Sequence, residues 1–469
     1  MIVKGQETRQ AKLTLPPVVF VSGFLTSVKH EWKQAAVSMS ERSTQRSLIT
    51  ALIGPVSSVM DRARELFYCL KGGRVDYGLE HSKKAGHNQF GKIYEHGLYE
   101  CWSEQNPIHI FGHSLGGPTS LALQSQLEQQ LFPGYETSAS WIRSITCVSA
   151  PMLGTTVSYL LGSCETVPGA VKVLSIGSFL TRAIHLYEWL DLKFLKTKVD
   201  FQLGHWNLAK SFQPLAFISS VWNLICGLTG FSPIILSTDN AAFDLTIEGM
   251  KLLVDKHIRT FNCSFYQSYT TSYATTDDYS CKTNSINEGL KYQRNTNIKT
   301  LPFYFRHLFH SIRQYRCPTP KHDQLQIAGL TYCDADWAEN DGCVNTISQA
   351  HPHACTLISR QPLNNIYEEK YNIDQSSRVQ RHIHCEHRSL HLMSNSHSEG
   401  LVTNGSNCSF PEVTPPECSL GVWHVYSTVD ISHYGLCWGG RNRSQQRQFF
   451  NHTYDKLDYF DQITSRKKQ

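Results

Sequence analysis

Apolar residues in this chain come in short, strand-sized runs divided by longer polar stretches. Val18–Val21, Ile108–Phe111, Ile145–Val148 and Trp423–Tyr426 are β-branched or aromatic runs that predict strands. Phe265–Ala274, where Tyr, Thr and Ser alternate, predicts another. Directly after Ile108–Phe111 the period changes. Leu121, Leu123, Leu127 and Leu131 mark the apolar positions of a helix over Pro118–Leu131. Residues 27–50 are polar and helix-like, and apolar helical pieces recur around Val171–Leu180 and Ile184–Leu195. Strands alternating with helices predict an α/β fold with a mostly parallel central sheet flanked by helices.

The change of period coincides with Gly112-His113-Ser114-Leu115-Gly116-Gly117. A Gly-x-Ser-x-Gly placed between a strand and a helix predicts a nucleophile elbow. Gly112 and Gly116 let strand and helix approach closely while Ser114 projects its hydroxyl from a sharp turn. The helix begins beside the serine, so its first amides and positive dipole end favour developing negative charge there. The rival reading is a glycine-rich turn with an incidental serine.

Composition narrows the class. The excess of Lys plus Arg (44) over Asp plus Glu (39) is only +5 and is spread along the chain, so nucleic acid is not an expected partner. Arg441, Arg443, Arg447, Arg466, Lys467 and Lys468 make a basic C-terminus that reads as solvated rather than as a binding patch, with the tail itself placed at 461–469. Fifteen cysteines without a C-x-x-C pair argue against a zinc ribbon or thioredoxin-type site. With sequons at Asn262, Asn404, Asn407, Asn442 and Asn451, they suggest a glycoprotein of a secretory, oxidising compartment, with an odd thiol left over. Residues 1–14 are polar and hold no apolar signal core, which favours an intracellular location or a missing start.

His81 and His87, with carboxylates nearby, could bind a borderline metal, although spacing alone favours surface histidines on a loop. They belong to an ordered series of motifs. Gly54-Pro55-Val56-Ser57-Ser58-Val59-Met60-Asp61-Arg62-Ala63 is followed by Gly72-Gly73-Arg74-Val75-Asp76-Tyr77-Gly78, the two histidines, Phe90-Gly91 and the elbow. Further on come Ala150-Pro151 with Gly154-Thr155-Thr156, Ser237-Thr238-Asp239, Phe243-Asp244-Leu245 and Trp337–Thr346. In order and separation this series resembles the zinc-containing thermoalkalophilic bacterial lipases over most of residues 16–350, with a thinner match near 420–436.

The resemblance implies an α/β-hydrolase fold with a helical lid, a zinc-site insertion and carboxylic-ester hydrolysis of acylglycerols at a lipid/water interface. It implies the triad Ser114, Asp341 and His433, with His424 as a local rival for the histidine. The backbone amides of Phe24 and Leu115 would form the oxyanion hole. Asp61, His81, His87 and Asp239 would hold a structural zinc, with Asp244 as the fallback fourth ligand. Four protein ligands leave no open position for catalysis.

Two departures tell in opposite ways. Ser22 and Leu115 replace the family's His and Gln, but both positions matter through the backbone. The family's calcium site uses a carboxylate two residues after the histidine, whereas this chain has Gly435 and no acid through Gly440. Calcium is therefore not expected.

The expected organisation is one α/β-hydrolase domain over 15–460, a lid or cap over 155–238 and a polar, disordered insertion over 356–418. Within that insertion, His382, His384, Cys385, His387 and His391 look like a metal cluster, but low complexity favours disorder. Ser211–Thr238 carries no charge and is long enough to span a bilayer. Pro214, Asn223, Gly227, Gly230 and Pro233 argue against one regular helix, so a mobile lid opening onto lipid is preferred. A monomer is expected. The rival classes are a short-chain carboxylesterase or phospholipase with the same triad, and a non-catalytic lipid-binding homologue.

Overall fold

The computed structural model describes residues 15–26, 31–43, 46–191, 193–196, 200–209, 213–272, 307–308, 310–312, 326–327, 330–331, 337–352, 385–390, 419–429, 431–438 and 443–466. The strands are β1 (Val18–Val21), β2 (Leu48–Ala51), β3 (Gly73–Asp76), β4 (Phe90–Tyr94), β5 (Ile108–His113), β6 (Ile142–Val148), β7 (Phe265–Ser272), β8 (Gln326–Ile327), β9 (Leu330–Thr331), β10 (Cys385–Ser389) and β11 (Trp423–Val429). Seven of them form one sheet in the order β10-β11-β7-β6-β5-β1-β2, parallel at every pairing. A parallel sheet must be covered on both faces. The helices that do so are α1 (Lys33–Ser40), α2 (Val59–Lys71), α4 (Gly116–Glu128) and α12 (Arg443–Arg466), with α3 (Leu79–Ala85) between α2 and α4 in an insertion that carries the β3–β4 hairpin.

Side-chain alternation builds the two cores. Val19 and Val21 of β1 join α2 and α4 through Leu66, Leu70, Leu121 and Leu123. Val18 and Phe20, one residue out of phase, pack with α1 and α12 through Ala35, Phe450, Tyr454 and Leu457. α12 is also clamped by charge. Asp461 accepts from Arg46 Nη1 and Arg143 Nη1, both at 2.9 Å, and lies 3.3 Å from His109 Nε2 in β5.

Over the sheet lies a cap of α5 (Val157–Leu161), α6 (Ile176–Leu190), α7 (Lys193–Lys196), α8 (Pro214–Thr229) and α9 (Pro233–Leu236), which leads into α10 (Ala241–Asp244) and α11 (Ile247–His257). α6 packs on α8: His185 Nε2 accepts from Ser232 Oγ at 2.7 Å, and Gly227 is where α8 passes over the imidazole. By length and composition alone, Phe217–Leu236 is apolar enough to cross a membrane. The helix stops at Gly230, where φ is 91°, before α9 resumes.

Several boundaries differ from the sequence expectation. The cap's two predicted pieces are one helix, α6, with the short α7 behind it, because nothing in Ile176–Leu190 breaks the helical ladder. The 356–418 segment is not wholly without structure: its Cys385–Ser389 forms β10 at the sheet edge, where backbone pairing with β11 stabilises a strand despite polar composition. The rest of 356–418 lies outside the described residues. Neither does a tail begin at 461, since α12 runs to Arg466 and Asp461 is buried. Among the described cysteines, Cys69, Cys101, Cys147, Cys164, Cys226, Cys263, Cys343 and Cys437 are free thiols rather than disulfide partners.

Candidate active site

At the end of β5 the chain turns so sharply that Ser114 takes φ 53°, a left-handed conformation unfavourable for a residue with a side chain. The strain is held in place by hydrogen bonds on both sides. Ser114 N donates to Val148 O at 2.9 Å, and Gly117 N donates to Ser114 O at 3.0 Å. Tight packing explains the glycines of the elbow: a Cβ on Gly112 would come within 2.4 Å of Gly116 O, and one on Gly116 within 2.1 Å of Val21 O.

Asp341 sits in the Asn340-Asp341-Gly342 turn and is enclosed by donors. Its Oδ1 accepts from Cys343 N (3.0 Å) and Val344 N (2.8 Å). Its Oδ2 accepts from Thr271 Oγ1 (2.8 Å), Gln349 Nε2 (3.1 Å) and His433 Nδ1 (2.9 Å). With Nδ1 committed to Asp341, Nε2 is the nitrogen that His433 has left for a serine proton. Ser114 and His433 line the same cavity, and among the described hydrogen bonds none joins them directly. Contacts of this kind often tighten only when substrate binds. His424, the rival, is buried within β11 and does not line that cavity.

Phe24 and Leu115 flank the serine from two sides. Among the described backbone hydrogen bonds neither of their amides has an acceptor, while Leu25 N donates to Pro55 O at 3.2 Å and Thr26 Oγ1 to Gly23 O at 3.0 Å. The loop is held from below by Arg62. That side chain is buried and donates to Ser22 O, Gly54 O and Thr119 Oγ1. Burial pulls its pKa down to about 10, so it remains a cation at neutral pH.

The cavity measures about 380 Å³ and is lined by apolar side chains, among them Phe24, Leu161, Leu180, Ile184, Ile234 and Val344. The cap closes it so well that Ser114 is 7% and His433 3% exposed. The outside of the same cap is apolar too: Phe179, Ile218, Trp222 and Phe231 are all more than half exposed.

A second cluster lies between the insertion and the base of the cap. Asp61, His81, His87 and Asp239 each offer a ligand atom, all within 4.8 Å of one another. His81 Nε2 is 2.9 Å from Asp61 Oδ1 and 3.3 Å from Asp239 Oδ2, and His87 Nε2 is 3.1 Å from Asp239 Oδ2. The set fits a cation. Asp61 Oδ2 is buried with no hydrogen-bond partner, and His87 Nδ1 donates to Asn88 O at 2.8 Å, which leaves its Nε2 lone pair for a metal. Asp244, the fallback ligand, is turned elsewhere and accepts from Val59 N; burial pushes its carboxyl up to about 8.

Sequence reasoning missed several supporting residues: Thr271 and Gln349 around Asp341, Arg62 under the loop, and His205. The last has its ring 4.3 Å from that of Tyr77, tilted by 37°, and lies 3.4 Å from Asp61 Oδ2. Arg62 lies inside the Gly54–Ala63 motif but nothing in the motif shows its role, and no local pattern marks the other three.

With this geometry in hand, the chain matches, over residues 17–298, the family described as "Lipase-like, C-terminal domain". The chain belongs to this family. Its sequence is similar to a lipase of Staphylococcus hyicus, 28% identical over 287 residues (54% of this chain and 40% of the relative). It is also similar to Lipase 1 of Staphylococcus aureus, 29% identical over 364 residues (72% and 46%). The lipase-like chain thus spans less than half the length of these relatives. In fold it resembles the crystal structure of the S. hyicus lipase, with TM-score 0.63, 20% identity and coverage of 99% of this chain and 100% of that one. Lipase 1 from Pelosinus fermentans has TM-score 0.54 at 23% identity, covering 93% and 98%. The lipase-like chain has the α/β-hydrolase fold, a mostly parallel sheet flanked by helices.

Proposed function

We propose that this chain is a serine hydrolase acting on carboxylic esters of acylglycerols, a lipase of triacylglycerol type, with Ser114, His433 and Asp341 as its triad. The observation that carries the reading is a strained serine and an Asp341-bound imidazole facing one apolar, capped cavity. In the first half-reaction His433 Nε2 takes the proton of Ser114 as Oγ attacks the ester carbonyl, while Asp341 holds the ring through Nδ1 and stabilises its cation. The amides of Phe24 and Leu115 donate hydrogen bonds to the oxyanion, worth about 3 kcal/mol per donor. His433 then protonates the departing alcohol, and water, activated by the same imidazole, releases the acid.

Asp61, His81, His87 and Asp239 would hold a zinc ion, since two imidazole nitrogens and two carboxylate oxygens are donor types that zinc takes. Bound there, the metal would supply structure, joining the insertion to the residue that ends the cap. The apolar outer cap face fits a lipid/water interface as partner. Exposed Asn262 and Asn451 fit a glycosylated, secreted protein.

A fluorophosphonate probe followed by peptide mapping tests the assignment. Label on Ser114, lost in Ser114→Ala together with ester turnover, is the expected result. Turnover that persists in Ser114→Ala refutes it. A chain-length series of esters separates a lipase from a short-chain esterase.

A further inference from the structure

Immediately before the nucleophile, His113 is wholly buried and uses both ring nitrogens. Nε2 lies 2.9 Å from the main-chain oxygen of His433, and Nδ1 lies 2.8 Å from Glu31 Oε1, itself wholly buried. A carbonyl oxygen can only accept, so Nε2 carries a proton toward His433. The contact with Glu31 holds one more proton, shared by the pair. Glu31 is placed just ahead of α1, where it forms a β-bridge with Trp438 and Trp32 N donates to Cys437 O at 3.0 Å.

We propose that Glu31 and His113 are positioning residues for the catalytic histidine, a second carboxylate–imidazole pair that fixes the main chain of His433 relative to Ser114. The inference rests on the serine-hydrolase reading above. Asp341 grips His433 at Nδ1 and, through its own carbonyl, at the amide N (3.1 Å). Those contacts set the ring against the acid but not against the nucleophile, because no described hydrogen bond joins His433 to Ser114. His113 supplies that reference directly, since it is covalently next to Ser114 and bonded to the carbonyl of His433. The ring centroids of His113 and His433 are 5.0 Å apart. A role in packing alone fits poorly. Glu31 Oε2 is buried with no hydrogen-bond partner, a cost that an apolar side chain of similar size would avoid.

The test uses the full chain, a soluble p-nitrophenyl ester and the rate of fluorophosphonate labelling. His113→Leu is expected to lower kcat and the labelling rate about 10- to 100-fold with KM unchanged, because small misplacements of a reacting group are expensive. His113→Gln, whose amide N–H can reach the His433 carbonyl, is expected to recover most of the loss. Glu31→Gln combined with His113→Leu should fall no further than His113→Leu alone. Wild-type kcat in a folded His113→Leu, or a His113→Gln as impaired as His113→Leu, overturns the proposal. If His113→Leu does not fold, a Glu31→Gln variant with unchanged kcat and labelling rate does so instead. Wild-type protein that neither turns over ester nor labels at Ser114 overturns the hydrolase reading with it, which separates that failure from this one.

Discussion

Asp341, the acid of the proposed triad, shows how much of a side chain's environment comes from residues on other segments. Two backbone amides, a hydroxyl and a carboxamide occupy it besides His433, so its rotamer is over-determined and the imidazole is held in one tautomer. Asp341→Asn keeps the shape but can present an N–H where Oδ2 now accepts from Nδ1. Steady-state kinetics should show kcat lower by about 10⁴-fold with folding intact, as a wrong tautomer costs in comparable triads. A loss of less than tenfold would remove Asp341 from the triad. Asp-Gly turns are common, and only the convergence of Thr271 and Gln349 distinguishes this one.

At the scale of elements, α12 matters more than its polar sequence suggests. Burial works against the charge on Asp461, but His109, Arg46 and Arg143 outweigh it and hold its carboxyl below the usual carboxylate range. The sign follows from that depression. The contribution is complete above the unfolded-state pKa near 3.9 and is lost as pH falls through the lower folded value. Asp461→Asn should therefore destabilise the protein by about 3 kcal/mol at pH 7, since Arg143 loses its carboxylate and buried Arg46 keeps only Asp458. Urea unfolding at a series of pH values checks this: the gap between variant and wild type should close in acid, and a gap independent of pH would contradict it.

The cluster proposed to hold zinc joins elements too. Asp61 lies on α2, His81 on α3, His87 just beyond it and Asp239 just after the cap. Purified protein should carry about one zinc ion per chain, and His81→Ala should lose it and melt several degrees lower. Metal analysis and thermal unfolding read both effects, and wild type without bound zinc would end the idea.

For the whole molecule, the cap has two apolar faces with different tasks. The inner face closes over Ser114, while Phe179, Ile218, Trp222 and Phe231 stand on the outer one. A surface of that kind in water marks a binding site for something apolar. Activity should rise when substrate passes from monomers to droplets, and Trp222→Ser with Phe231→Ser should abolish the rise without changing turnover of soluble esters. A rise that survives both substitutions would place the interface elsewhere.

The sequence by itself determined the elbow, five of the seven strands of the main sheet and the four clustered candidate ligands, because each rests on local spacing or on an ordered series of motifs. Val18–Val21 matched β1 residue for residue, since a short apolar run between polar stretches has few other ways to be buried. Tertiary structure alone decided what supports those residues. Glu31 behind His113, Arg62 beneath Ser22, Thr271 beside Asp341, and β10 beside β11 are pairings between segments far apart in the chain. Buried polar groups must find partners wherever the fold brings them, and that requirement leaves no periodic trace in the chain.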